Sequence, residues 1–218
     1  MEAVLILLGW IFSVCLHEYA HALTAWYGGD TSVEEKGYLD FNPFCYAHPL
    51  LSIGLPILFL LMGGIPLMGG AVYIDHTRIR SRWWDSAVSA AGPAANLFFG
   101  AVLCVPFAAG LADPGSNLWQ VVACLIFLNF FVALLNLLPI PGLDGFGIIR
   151  PHLSYQARER SDEVARYGVF ILFAVLWTVP PVSEILGGAS VIAAAILGVP
   201  PSSVVEGFGF LRVLQLRP

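Results

Sequence analysis

Residues 4 to 26, VLILLGWIFSVCLHEYAHALTAW, form an apolar run long enough to cross a bilayer, and His17, Glu18 and His21 lie inside it. About 20 apolar residues at 1.5 Å rise span a hydrocarbon core. Lipid offers three such groups no hydrogen-bond partner, so ionisable residues at that depth are functional candidates. The spacing names the compensation. His17 and His21 are four apart, so both imidazoles leave one helix face a turn apart and can grip one Zn²⁺. Glu18 follows the first of them, beside the position such a site leaves open. This is the H-E-x-x-H arrangement of a zinc hydrolase, with Glu as general base on water. A packed or solvated histidine, or a chance match on a soluble surface helix, leaves the three buried polar groups unexplained.

The rest of the composition fits that depth. Hydrophobic residues make up 58% of the 218 and charged residues 11%, with mean hydropathy +0.79. A soluble domain carries about 25% charged residues, so the chain reads as an integral, multi-pass protein of the cell membrane. The expected fold is all-α, a bundle of about five or six transmembrane helices. A formal charge of −5, spread over loops, leaves no footprint for nucleic acid. The first apolar run is too long for a cleaved signal peptide and carries the motif itself. Cys15, Cys45, Cys104 and Cys124 show no C-x-x-C pairing and read as small hydrophobes.

Along the chain, Gly28-Gly29 stops the first helix, and Thr31 to Phe41 mixes β-formers with charges, which suggests a strand or hairpin. Residues 50 to 74 are apolar, but Gly63, Gly64, Pro66, Gly69 and Gly70 break the second half. A helix over Leu50 to Met62 followed by an extended segment fits best. Irregular backbone at membrane depth survives only against protein or a water-filled cavity, so this piece is expected to be re-entrant and close to the active site. Ala87 to Gly110 is the next span. Its Gly92, Asn96 and Gly100 recur every four residues, a stripe that lets another helix approach closely. Asn96 also needs partners as a buried amide, which the site's backbone, ligands or substrate would supply.

Asp113-Pro114-Gly115 is a turn, and Leu118 to Leu138 spans again before NLLPIPGLDGFG at 136 to 147. Prolines and glycines there bracket one acid, Asp144. An acid between Pro and Gly is ordinarily a turn residue, but two histidines that lack a third ligand make Asp144 the candidate. His₂-carboxylate is a catalytic zinc set. Pro151 to Arg166 is the most charged stretch, and Arg158/Asp162 and Asp162/Arg166 have helical pair spacing, so it reads as a solvated helix. Tyr167 to Val179 starts another span, which Pro180-Pro181 interrupts; Ile185 to Leu197 is apolar but short for a crossing. His48 and His76 look like solvated loop residues, and His152 also looks like a loop residue.

HEYAHA at 17 to 22, AGPAAN at 91 to 96 and NLLPIPGLDG at 136 to 145 together resemble the site-2 protease family of intramembrane zinc metalloproteases. Coverage runs to about residue 150, and the spacing suits a short, core-only member. The resemblance implies one zinc per chain held by His17, His21 and Asp144, with Glu18 activating water. It also implies that Asn136 holds substrate backbone; Asn96 is placed beside it as a second candidate substrate-binding residue. Gly142 and Phe146 stand where the family often has Pro and Gly.

The expectation is therefore a zinc metalloendopeptidase that hydrolyses peptide bonds within or next to transmembrane segments of protein substrates in the bilayer. Residues 1–150 would form the membrane-embedded core, and 151–218 a cytoplasmic linker helix with C-terminal membrane helices. The alternative is a non-catalytic membrane protein, a metal carrier or pseudoprotease on the same His/His/Asp cluster, but that gives Glu18 no task. The sequence leaves the oligomeric state open. For one zinc to join His17, His21 and Asp144, the ends of the first helix and of the 118–138 helix must share a side. They do if 50 to 74 enters and leaves by one face, with the N-terminus outside. Residues 28–49, 75–86 and 145–166 are then cytoplasmic, and Lys36 and seven of the nine arginines lie inside.

Overall fold

The structure, a computed structural model, describes residues 1–42, 72–168, 171, 172, 174 and 180–212. The expected helix at 50 to 62, the glycine-rich break after it, Cys45 and His48 lie outside the described residues. Every regular element among those described is helical. Helix α1 is Glu2–Gly28, α2 Ser32–Glu35, α3 Arg82–Ala108, α4 Asn117–Asn136, α5 Asp144–Ile149, α6 Tyr155–Ala165, α7 Pro180–Ile196 and α8 Pro201–Arg212. A 3₁₀ turn, Arg150–His152, joins α5 to α6.

Among the described residues, α1, α3 and α4 are long and apolar enough to cross a membrane, and α7 is a shorter apolar helix. At 27 residues, α1 and α3 are each about 40 Å long at 1.5 Å per residue. α4 is apolar all round and mostly buried, because α1, α3, α7 and α8 pack about it. The core gathers Ile6 and Trp10 of α1, Cys104 and Phe107 of α3, and the run Ala123 to Leu128 of α4. Phe208 of α8 meets Phe127 edge-on at 5.1 Å. Pro180 and Pro181 open α7, where the first turn needs no backbone donor.

The helix directions follow from their end contacts. Asn117 Nδ2 at the start of α4 donates to Glu2 Oε1 at the start of α1, 3.1 Å away, so these two helices run parallel. Arg80 N, just before α3, donates to Gly28 O at the end of α1, so α3 runs the other way. Between α3 and α4 the expected turn forms: Asp113 Oδ1 accepts from Gly115 N at 3.0 Å. The ends of α1 and α4 and the start of α3 therefore share one end of the bundle.

Two sequence expectations are corrected here. The strand or hairpin at Thr31 to Phe41 is instead the short helix α2 followed by turns. The buried carboxylate of Asp30 takes Ser32 N at 3.1 Å and Ser32 Oγ at 2.6 Å, which winds the chain into a helical turn before any strand can pair. The helical pairs of Asp162 do not form either. Arg150 grips Asp162 with two nitrogens at 2.9 and 2.7 Å, while Arg158 donates to the Leu153 and Pro151 carbonyls. A planar guanidinium reaching two carboxylate oxygens outcompetes a single helical contact. α6 is thus tied to the 3₁₀ turn.

Candidate metal centre

His17, Glu18 and His21 are buried in the C-terminal half of α1. The two imidazoles converge as the spacing predicts: their Nε2 atoms stand 3.0 Å apart. Each ring is held from behind by its other nitrogen. His21 Nδ1 donates to Val88 O of α3 at 2.6 Å, which leaves Nε2 with its lone pair free. His17 Nδ1 lies 2.6 Å from Asn96 Oδ1.

Gly92 makes this approach possible. A Cβ at that position would collide with His21 Nε2 and with the His17 ring, so only glycine lets α3 pass so close. The stripe read from the sequence thus has two uses. Gly100 lets α3 sit against Phe130 of α4, and Gly92 leaves a space in front of both Nε2 atoms.

Asp144 arrives from the other side. α4 ends at Asn136, prolines at 139 and 141 forbid its continuation, and Gly142 turns the chain at φ 101°. The glycine that departs from the family pattern is therefore required by the backbone. Gly145 sits against the Leu137 and Leu138 carbonyls, where a Cβ would clash, so the chain folds back tightly on the end of α4. That fold aims Asp144, the first residue of α5, at α1. Its Oδ2 lies 3.2 Å from His17 Nε2 and its Oδ1 3.4 Å from His21 Nε2.

α5 is locked in place by Ser86 of α3, whose hydroxyl donates to Ile148 O at 2.7 Å. With that proton committed, His152 Nε2 donates to Ser86 Oγ at 3.0 Å, and its ring packs on Trp83. His152 is therefore a docking residue, not a free loop histidine. His76, as expected, stays at the surface, paired with Asp85 at 2.6 Å.

The ligand atoms of His17, His21 and Asp144 all lie within 4.8 Å of one another. An ion with bonds of about 2.0–2.1 Å in a tetrahedron holds its donors about 3.3 Å apart, close to the separations seen here. Two lone-pair nitrogens, one carboxylate and the hollow at Gly92 fit a zinc ion. Glu18 is not part of that cluster, and its Oε2 accepts from Val72 N at 3.2 Å. Val72 to Asp75 form neither helix nor turn and are anchored by Asp75 N to Asp30 Oδ2 and by Lys36 Nζ to Tyr73 O, both 2.7 Å. The part of the expected extended segment that is described thus runs beside Glu18.

The remaining two candidates differ. Asn96 is 1% exposed and spends its two ends on His17 and Asn129, so it backs a ring. Asn136 is half-buried at the end of α4, with no side-chain partner among the described residues. The sequence reading missed Val88, Ser86 and Asn129. Asn129 was the findable one, a lone amide within the apolar run LIFLNFFVALL.

Comparison with known proteins agrees with this arrangement. A family model described as Peptidase family M50 matches residues 108–179, past the point where the sequence motifs end. Rip2 of Mycolicibacterium smegmatis is 45% identical over 176 residues, which cover 80% of this chain and 67% of that relative. Rip2 of Mycobacterium tuberculosis strain H37Rv is 44% identical over 178 residues, 81% of this chain and 68% of its own length. YwhC of Bacillus subtilis is 35% identical over 186 residues, 81% of each chain. All three are named "Putative zinc metalloprotease". No solved structure matches. Relatives at this identity, aligned over most of both chains, place the protein in peptidase family M50.

Proposed function

We propose that the chain is an intramembrane zinc metalloendopeptidase of the site-2 type, cutting protein substrates within or next to their transmembrane segments in the cell membrane. The observation that carries this is the convergence of His17, His21 and Asp144 at one end of helices long enough to cross a membrane. The names of the relatives point to the same chemistry. Residues 1–150 would form the core; 151–218 would add the cytoplasmic helix α6 and the C-terminal helices.

His17 Nε2, His21 Nε2 and an Asp144 oxygen would hold one zinc ion. When bound there, zinc supplies Lewis acidity, which acidifies water and polarises a carbonyl. Glu18 does the proton work: its carboxylate takes the proton from the attacking water and later gives it to the leaving amine. Asn96 and the Val88 carbonyl hold the two rings so that neither turns away during a cycle. A substrate helix keeps its carbonyls bonded, so it must unwind before it is cut. The stretch Val72 to Ile74, beside Glu18, is suited to receive the unwound strand through backbone hydrogen bonds. Asn136, at the break before Asp144, would hold a substrate carbonyl.

The test is cleavage of a reporter helix co-reconstituted with the protein in liposomes. Chelation should abolish cleavage and added zinc should restore it. Asp144→Ala should lose zinc and activity together. Full zinc occupancy in that variant would place the third ligand elsewhere, and cleavage indifferent to chelation would refute the metalloprotease reading.

A further inference from the structure

We propose that Asn129 and Ser13 fix the tautomer of His17 through Asn96, so that two main-chain carbonyls on other turns decide which ring nitrogen faces the metal. This rests on the reading of His17 as a zinc ligand. The three side chains form a line through the bundle, and all are closed off: Ser13 and Asn129 are 0% exposed and Asn96 is 1%. They come from α1, α4 and α3, and no sequence motif joins them.

The direction of every bond in the line can be derived. A main-chain carbonyl only accepts, and Leu125 O lies 2.8 Å from one terminal atom of Asn129. That atom must be the NH₂ nitrogen. Asn129 Oδ1 then faces Asn96 at 2.9 Å, so Asn96 presents Nδ2 to it. This leaves Asn96 Oδ1 toward His17 Nδ1 at 2.6 Å, and Nδ1 must carry the proton. Ser13 reaches the same result by another route. Its hydroxyl proton goes to Gly9 O at 2.9 Å, so its oxygen accepts from Asn129 Nδ2 at 3.0 Å.

Turning any one amide over would set donor against donor, or two oxygens against each other, with no water to relieve them. With the proton held at Nδ1, the lone pair of His17 is at Nε2, the atom that faces His21 and Asp144. The other tautomer would place a hydrogen there and close the site to a metal. His21 uses a single carbonyl for the same purpose, and His17 borrows one from α4 through two amides. Asn129 and Ser13 are positioning residues: they touch neither the metal-binding atoms nor substrate.

The experiment uses full-length protein in detergent, with zinc affinity measured by competition with a chromophoric chelator. The tautomer of His17 is read from its ¹⁵N chemical shifts in zinc-free protein. Asn129→Leu keeps the branched shape but frees Asn96 to turn over, so the Nε2–H tautomer should appear. Zinc affinity should fall about tenfold, the low end of the range for groups that orient metal ligands. Adding Asn96→Asp to that variant should restore affinity, because a carboxylate can only accept and pins the proton back at Nδ1. A merely structural role for Asn129 predicts no such rescue. Unchanged affinity in Asn129→Leu, or a loss that Asn96→Asp leaves unrepaired, would overturn the proposal. If Asn129→Leu does not fold, the zinc-free wild type still decides: Nδ1–H supports the relay and Nε2–H refutes it. A wild type that binds no zinc would overturn the metal-site reading instead, and the tautomer readout would still judge the relay by itself.

Discussion

The Arg80 amide nitrogen donates to the Gly28 carbonyl across 2.9 Å, so α1 ends where α3 begins. The described residues on either side of 43–71 therefore lie at one end of the bundle. At the opposite end Glu2 meets Asn117, beside the Asp113-Pro114-Gly115 turn. Lys36, Arg78, Arg80, Arg82 and Arg150 all belong to the Gly28 end, which on the positive-inside rule would face the cytoplasm in the proposed topology. Single cysteines in a cysteine-free background should therefore label from outside the cell at Glu2 and Gly115 and stay protected at Glu35 and Arg80. Labelling at Glu35 with protection at Glu2 would reverse this orientation.

Gly92 should be intolerant of a single added carbon. Alanine is the better helix former by about 1 kcal/mol, so the helix itself gains from the change. The new Cβ, however, would occupy the space in front of His17 and His21 Nε2. Gly92→Ala is expected to keep its helical circular dichroism and lose zinc binding and cleavage. Full zinc occupancy would show that the hollow is not where the metal sits.

Arg150 and Asp162 offer a test outside the metal centre. The hydrogen bonds from Arg150 hold the Asp162 carboxyl below its usual range. A depressed carboxylate pKa stabilises the fold above the unfolded-state value, and the benefit fades as pH falls through the folded one. The pair is half-exposed, so it contributes about 1 kcal/mol at most. Hydrogen-exchange protection in α6, taken relative to the intrinsic rate at each pH, should fall at acid pH in the wild type and already be lower at neutral pH in Asp162→Asn, with zinc binding unchanged. Equal exchange in both proteins at neutral pH would show that the pair does not anchor α6.

Much of the site could be read in advance because its chemistry sits at fixed helical spacing. His17 and His21 had to share a face, and a Pro/Gly break was the natural way to turn Asp144 inward. The spans read at 87–110 and 118–138 begin and end within a few residues of α3 and α4, since long apolar runs admit little else. What was not legible depends on which helices meet. Arg150 displaced Arg158 and Arg166 as the partner of Asp162 through a contact 12 residues away. Asp30 wound α2 where propensity alone suggested a strand. Asn129 stood in plain view, but its side-chain partners on α3 and α1 are set only by how the helices pack.

The central claim is that Glu18 is the base and not a ligand, and Glu18→Gln tests it most directly. Zinc content and cleavage of the liposome-embedded reporter are measured on the same preparation as wild type. The expected result is zinc at wild-type stoichiometry with cleavage reduced by at least about 10²-fold, the low end of general-base effects. Near wild-type turnover would contradict the mechanism, and lost zinc would make Glu18 a ligand.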